Sequence, residues 1–462
     1  MADKFDVVVV GGGPAGYASA LYGAAAGLNI AMVEKDKVGG TCLHRGCIPA
    51  KELLETAAVH RTVSHAAEFG ITAGEPSLDL GTAMDRKQKV VDGLHKGLGS
   101  LLKGRKVTVI DGFGKLGPEH TVTVDDGSEL TGDHVILAPG SAPRTIPGFD
   151  IDGELVLTSD QVFDIRELPA RTAVIGGGAI GCEFASMFSD LGSQVTVLEA
   201  LDEIMPGIDR DVVAVVRKSF KRRGIDVRTG VKVEGHEPNG GGTTVQVSDG
   251  EPVEVDKVIV SVGRRPLTDE LLADGSGVKL DERGFVEVDE WCATSAPGVW
   301  AAGDVITTPG LAHVGFAEAI LVIKQILGED TVPLDADRVP WCVYCHPEVA
   351  FAGLTEEAAK EAGFDVMVSK HQFRGNGRAM IVGDTEGLVK VVAEKDGNGK
   401  AGRILGVHMV GPWVTEQLGQ GYLAVNWEAT VEETAHFIQP HPTLSELFGE
   451  TVMALTGRGL HG

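Results

Sequence analysis

Positive charge is scarce in this chain. Its 462 residues carry 41 Lys and Arg against 66 Asp and Glu, a formal net charge of −25. Such a surface repels polyanions, which excludes nucleic acid and anionic membranes as partners. Cysteine is scarce too, and six in this length do not make a disulfide scaffold. No apolar run reaches the roughly 18 residues that a membrane helix needs, and no charged segment precedes a hydrophobic one as in a secretory leader. The expectation is a cytoplasmic protein without membrane contact. In a reducing compartment a persistent disulfide is usually catalytic.

What is present is glycine in two ordered places. Phe5 to Val10 is a short apolar run, read as a buried parallel strand. It enters Gly11-Gly12-Gly13-Pro14-Ala15-Gly16, then a small-residue helix to about Ala26, then a strand from Asn29 to Val33 that ends in Glu34. Gly11 permits the tight turn, Gly13 lets a pyrophosphate approach the backbone, and Gly16 lets the helix pack closely. Glu34 is placed to take a ribose hydroxyl, and the helix N-terminus favours phosphate.

The device recurs. Thr172 to Ile175 leads into Gly176-Gly177-Gly178-Ala179-Ile180-Gly181, and Gln194 to Leu198 ends in Glu199. Both copies place the acid 18 residues after the last glycine. Each is followed by an Asp-Gly turn, Asp126-Gly127 and Asp249-Gly250, read as hairpins, and each closes with a strand into glycine at Gly140 and Gly263. The chain therefore holds two dinucleotide-binding domains, the first with an insert over 39–109.

That insert contains Cys42 and Cys47, five positions apart. A regular helix would separate their Cα atoms by more than about 7 Å, beyond disulfide reach. A bond between them requires a break, which Gly46 permits and Pro49 favours. Closing so short a ring stabilises by only about 2 kcal/mol, so chemistry explains the pair better than stability. Two nucleotide sites and an inserted cysteine pair imply electron flow between a flavin and a nicotinamide. Glu199 would repel a 2′-phosphate and Ala200-Leu201-Asp202-Glu203 adds no arginine, so the nicotinamide cofactor reads as NAD.

After Pro266 the chain reaches Val299 to Asp304, a strand whose terminal acid suits either a flavin contact or a helix N-cap. From about Arg338 short strands alternate with helices over Thr355 to Ala362 and Val414 to Asn426, a separate α+β domain. Cys342 and Cys345 would point to opposite faces of a strand and no second pair follows, so no metal is expected. Cys182 and Cys292 read as apolar fillers. His313 and His346 read as structural on their own. His441 stands between two prolines with Glu446 five residues on, a setting for an oriented imidazole.

Together these residues resemble the pyridine nucleotide–disulfide oxidoreductases, nearly end to end. Gly39 to Lys51 is similar to the family's G-G-T-C-x-x-x-G-C-I-P-S-K, and Leu311-Ala312-His313 and His441 to Glu446 match its flavin-contact and C-terminal motifs. The resemblance implies an α/β fold: two Rossmann-like domains (1–148 for FAD, 149–270 for NAD), a central segment (271–337) and a C-terminal α+β dimerisation domain (338–462). It implies a homodimer with an FAD site completed by Lys51, Gly114, Gly140, Ser141, Asp304 and Leu311 to His313, and an NAD site that includes Val233 and Gly263. It pairs Lys51 with Glu183, sends His441 and Glu446 to the partner's cysteines, and makes the His441–Pro442 bond cis. The reaction implied is oxidation of dihydrolipoamide by NAD. The lipoyl group would come from a lipoyl-bearing domain of a 2-oxo acid dehydrogenase or glycine cleavage complex; reduction of glutathione or mycothiol disulfide is the rival. Departures are Ala50 for serine, Pro139 for threonine, Leu267 for asparagine, Gly377 for serine, and Gln439-Pro440 before the histidine.

Overall fold

The computed structural model describes residues 3–461. Strand β1 (Asp3–Val10) carries Val7 to Val10, β-branched and buried, as the middle of a parallel sheet covered on both faces demands. The chain turns at Gly11 into helix α1 (Pro14–Ala25), whose proline occupies the first turn, where an N–H has no helical partner. Strand β2 (Ile30–Glu34) pairs parallel with β1, Val10 beside Val33. Three helices follow, α2 (Gly40–Arg45), α3 (Cys47–Ser64) and α4 (Leu80–Gly104), before strand β3 (Thr108–Asp111) joins β2 in parallel. On the other side of β1 runs Glu129–Leu137, and Val299–Ala301 returns late in the sequence to pair parallel with it.

The second sheet repeats the plan. Asp226–Arg228, Gln194–Leu198, Arg171–Ile175, Lys257–Val260 and Val156–Thr158 lie side by side, all parallel. Both Asp-Gly turns join antiparallel strands; a further hairpin, turning at Asn239 to Gly242, precedes the second of them. Where the chain leaves the first sheet and where it comes back, Ser141–Pro143 and Arg264–Pro266 pair antiparallel as a two-stranded ribbon.

The C-terminal part is a five-stranded antiparallel sheet. Val414–Asn426 and Glu446–Leu455 are helices packed with it around Phe373, Val407, Met409 and Phe448. Lys390, on strand Leu388–Lys395, is 2% exposed and anchors this sheet to the second nucleotide domain. Its ammonium lies 2.9 Å from Asp209, 2.8 Å from Asp211 and 3.0 Å from Glu356. Removing one member of such a buried group strands the others, at about 3–5 kcal/mol.

Two local expectations change. Cys342 lies in strand Trp341–Val343 but Cys345 lies beyond it, so strand alternation does not separate them; they enter different cores instead, Cys345 wholly buried and Cys342 at a margin. Asp304 is three residues past strand Val299–Ala301 and caps no helix, because Leu311 is the residue that precedes helix Ala312–Leu327.

Candidate active site

Gly46 breaks the helical run between the two cysteines. Its backbone (φ −141°, ψ −111°) ends α2 and starts α3, so Cys42 and Cys47 sit on different helices and their thiols reach hydrogen-bond contact. The structure holds them as free thiols. The hydrogen bond from Cys42 is the main influence holding Cys47 down at about 7; burial opposes it, and Lys51 adds to it. The same contact, with burial, pushes Cys42 far up. The two thiols titrate as a pair, and Lys51 favours the thiolate on the Cys47 side. Tyr17 in α1 faces the pair, and its phenol is pushed up to about 12, mainly by burial.

Lys51 follows one turn after Cys47 on α3. Its ammonium donates to both carboxylate oxygens of Glu183 at 2.9 Å, and Glu183 belongs to helix Ala179–Leu191 of the second nucleotide domain. Glu183 is 8% exposed and also accepts from the backbone N–H of Tyr344 at 2.9 Å.

The two glycine turns superpose in chemistry. A Cβ on Gly11 would meet the Ala138 carbonyl and one on Gly16 the Gly11 carbonyl; Gly176 and Gly181 stand in the same relation to Ser261 and Gly176. Gly13 and Gly178, by contrast, face open space on the side where a phosphate would approach. Glu34 accepts from Gly12 N–H at 2.6 Å and Glu199 from Gly177 N–H at 2.6 Å, so each acid is fixed beside its turn. Ile180 stands exposed at the second turn, while Val233 opens strand Val233–Asn239 against its own core.

Asp304 accepts from the Ser141 hydroxyl at 2.5 Å, and Arg264 donates to that hydroxyl at 2.7 Å and to the Ser141 carbonyl at 2.7 Å. Arg264 was not singled out by its motif; only the ribbon pairing brings it here. Gly140 and Gly263 both have positive φ, +78° and +103°, and the carbonyl of Gly140 accepts from Leu267 N–H at 3.0 Å. Gly114 opens a short strand under the side chains of Val10, Val33 and Val122. His313 is tied to the carbonyl of Pro340 at 2.7 Å, beside Leu311 and Ala312 at the start of their helix. Glu318, on the same helix and fully buried, accepts from Gly303 N–H at 2.6 Å and so fixes the turn that carries Asp304. Nothing in the local sequence marked Glu318, since a fully buried acid with partners this distant is visible only in three dimensions.

His441 and Glu446 form a dyad near the end of the C-terminal domain. His441 Nδ1 lies 2.8 Å from Glu446 Oε1, the other oxygen of Glu446 accepts from Thr443 N–H at 2.7 Å, and the imidazole is 78% exposed. The Glu446 carboxyl is held below its ordinary range; burial works against this, and the Thr443 N–H and His441 outweigh it. His441–Pro442 is cis, as is His346–Pro347. Gln439 donates its side-chain amide to Gln420 at 3.1 Å.

Residues 5–319 match the family described as pyridine nucleotide-disulphide oxidoreductase, and residues 339–452 match its dimerisation domain. The chain belongs to this family. It is 40% identical to a dihydrolipoyl dehydrogenase of Bacillus subtilis over the full length of both, and 41% identical to one of Thermus scotoductus over 99% of this chain and 98% of that one. Among solved structures, LpdA from Mycobacterium tuberculosis superposes with a TM-score of 0.91 at 27% identity, covering 98% of this chain and all of that one. The HOCl-induced flavoprotein disulfide reductase RclA from Escherichia coli superposes at 0.87 with 29% identity, covering 97% and 99%. The family's cofactors are FAD and NAD, and the two cradles left open at Gly13 and Gly178 fit two dinucleotides. As the family's dimerisation domain requires, two copies associate. Among the described residues no helix is long and apolar enough to cross a membrane, and no cluster of three or more His, Cys, Asp or Glu is placed to hold a metal.

Proposed function

We propose that this chain oxidises dihydrolipoamide, carried on the lipoyl domain of a partner protein, to lipoamide and reduces NAD. The observation that carries the reading is the pairing of a buried dithiol beside the Lys51 ammonium with a separate, exposed imidazole–carboxylate dyad. A dithiol substrate needs both: a base for its own thiol and a disulfide to attack.

In the oxidised enzyme Cys42 and Cys47 share the disulfide. His441, held by Glu446, takes the proton of one substrate thiol. The thiolate attacks Cys42, a mixed disulfide forms, and Cys47 leaves as a thiolate facing the Lys51 charge. The second substrate thiol attacks the substrate sulfur as its proton passes to the departing Cys42 sulfur, which closes lipoamide and leaves the first proton on His441. Two electrons and one proton now rest in the enzyme dithiol. Bound FAD supplies the passage of those two electrons to NAD. Gly11, Gly13, Gly16, Glu34, Ser141 and Asp304 would hold it; Gly176, Gly178, Gly181 and Glu199 would hold NAD. His441 is exposed in its own chain because it serves the cysteines of the other copy. A cytoplasmic setting suits free thiols of this kind.

Steady-state turnover of dihydrolipoamide with NAD, in wild type and in Cys42→Ser/Cys47→Ser, tests this. The double variant is expected to retain FAD and lose thiol oxidation by at least about 10³-fold, the scale of losing an enzymatic nucleophile. Lipoamide turnover in that variant at the wild-type rate would overturn the reading, as would wild-type preference for glutathione or mycothiol disulfide.

A further inference from the structure

Lys51 and Glu183 come from two domains, and a third domain holds them both. Tyr344, just past strand Trp341–Val343 of the C-terminal sheet, donates its backbone N–H to Glu183 Oε1 at 2.9 Å. Its ring lies under the Lys51 ammonium, 4.8 Å from ring centroid to nitrogen. The carboxylate thus has one oxygen shared between Lys51 and Tyr344 and the other committed to Lys51 alone. A partly exposed lysine on a flexible stem would otherwise lose the salt bridge to water and to its own rotamers.

We propose that Tyr344 is a positioning residue for the reacting dithiol: its ring face and its backbone N–H fix the Lys51 ammonium at the place from which it stabilises the Cys47 thiolate. The attraction is that of a cation for the negative face of an aromatic ring, which strengthens as water is excluded. The phenol does not compete, because burial pushes it up to about 12 and it stays neutral through the working range. Other charges near the ring are Glu183, Glu348 and Glu416, with Cys342 beside them; those near Cys47 are Lys51, Glu183 and, through its hydrogen bond, Cys42. Burial pushes Cys342 up to about 11, so its thiol adds no anion at the pH where Cys47 titrates; burial also holds the Glu348 carboxyl above its ordinary range. The consequence is that the thiolate depends on the docking of the C-terminal domain, which among the described residues contributes no other contact to this ion pair.

The proposal rests on the dithiol being the reacting centre, and its test reads the thiols directly rather than turnover, so it stands or falls separately from the substrate. The measurement is the pH dependence of iodoacetamide alkylation of the reduced holoenzyme, with mass mapping of Cys47. Loosening Lys51 removes positive charge from the thiolate, so the midpoint must rise. Tyr344→Phe keeps the ring and the backbone donor and is expected to leave the midpoint in place. Tyr344→Leu is expected to raise it by roughly half a unit to one unit, the size of one cation–ring contact. Stepwise fluorinated phenylalanine at position 344 keeps shape and folding while draining the ring face, and is expected to raise the midpoint with each fluorine. A midpoint that ignores fluorination, or that moves as far in Tyr344→Phe as in Tyr344→Leu, overturns the proposal.

Discussion

The carboxylate of Glu199 grips the turn it serves: it accepts the N–H of Gly177 at 2.6 Å on one oxygen and that of Leu201 at 2.8 Å on the other. Glu34 does the same with Gly12 and Asp36, at 2.6 and 2.9 Å. Each acid is therefore fixed in place, and for the proposed ribose contact little side-chain freedom is left to lose on binding.

Glu199→Arg should accordingly invert cofactor choice. Loss of charge-assisted ribose contacts lowers kcat/KM for NAD by roughly 10–100-fold, and the new cation raises that for NADP. Glu199→Gln, which keeps an acceptor for one N–H, should lose less. A wild-type enzyme that prefers NADP would contradict the assignment.

Lys51→Met leaves the carboxylate of Glu183 buried and without its cation. The expected loss is about 2–3 kcal/mol, below the full range for buried pairs because Lys51 keeps some contact with water. Across a chain of this length that corresponds to roughly 2–3 °C in Tm. Lys51→Met/Glu183→Gln should recover most of the thermal midpoint while the alkylation midpoint of Cys47 stays raised. If the double variant restores both, Lys51 is not the charge that favours the thiolate.

His441→Ala should lower dihydrolipoamide oxidation by about 10²–10⁴, the usual range for a positioned base, while reduction of the enzyme by NADH stays near normal. Glu446→Gln should lose less, since the imidazole remains and only its orientation suffers. If each site takes its cysteines from one copy and its histidine from the other, mixed dimers of Cys42→Ser and His441→Ala subunits have one site with every group intact and one with neither. Activity should reappear on subunit exchange; exchange verified by mass without activity would place both groups on one chain.

His346 gives the fold an acid sensitivity. Burial, with Arg61 and Arg223 nearby, drives its imidazole down to about 2. The native state therefore stays neutral there while the unfolded chain takes up a proton below its ordinary value of about 6.5. Stability contributed by the neutral imidazole is complete above that pH and falls by up to about 1.4 kcal/mol per unit below it. His346→Asn should flatten the decline of Tm between pH 7 and 5; an unchanged slope would assign the sensitivity to other groups.

The glycine turns, their acids and the cysteine break were legible because each is a local sterical demand: Gly11, Gly16 and Gly46 sit where a Cβ or a regular helix cannot. His441 and Glu446 were legible for the same reason, being five residues apart. Tyr344, Arg264 and Glu318 were not. Their partners lie 161, 123 and 15 residues away; the first two contacts are made by the docking of separate domains and the third by a fold-back within one segment, and no periodicity encodes either. Cys342 and Cys345 show the opposite error, in which a strand rule was extended past the end of the strand.

The ribbon of Ser141–Pro143 against Arg264–Pro266 has an implication for engineering. It brings the two connections of the second nucleotide domain side by side, so that everything between them is joined to the rest of the molecule like a plug on a two-pin socket. A relative's segment could be spliced in at Arg144 and Gly263 with neither splice crossing a sheet, exchanging the electron acceptor in one step. The graft would have to carry a glutamate at position 183 and acids at 209 and 211, since Lys51 and Lys390 wait for them on the side that stays behind.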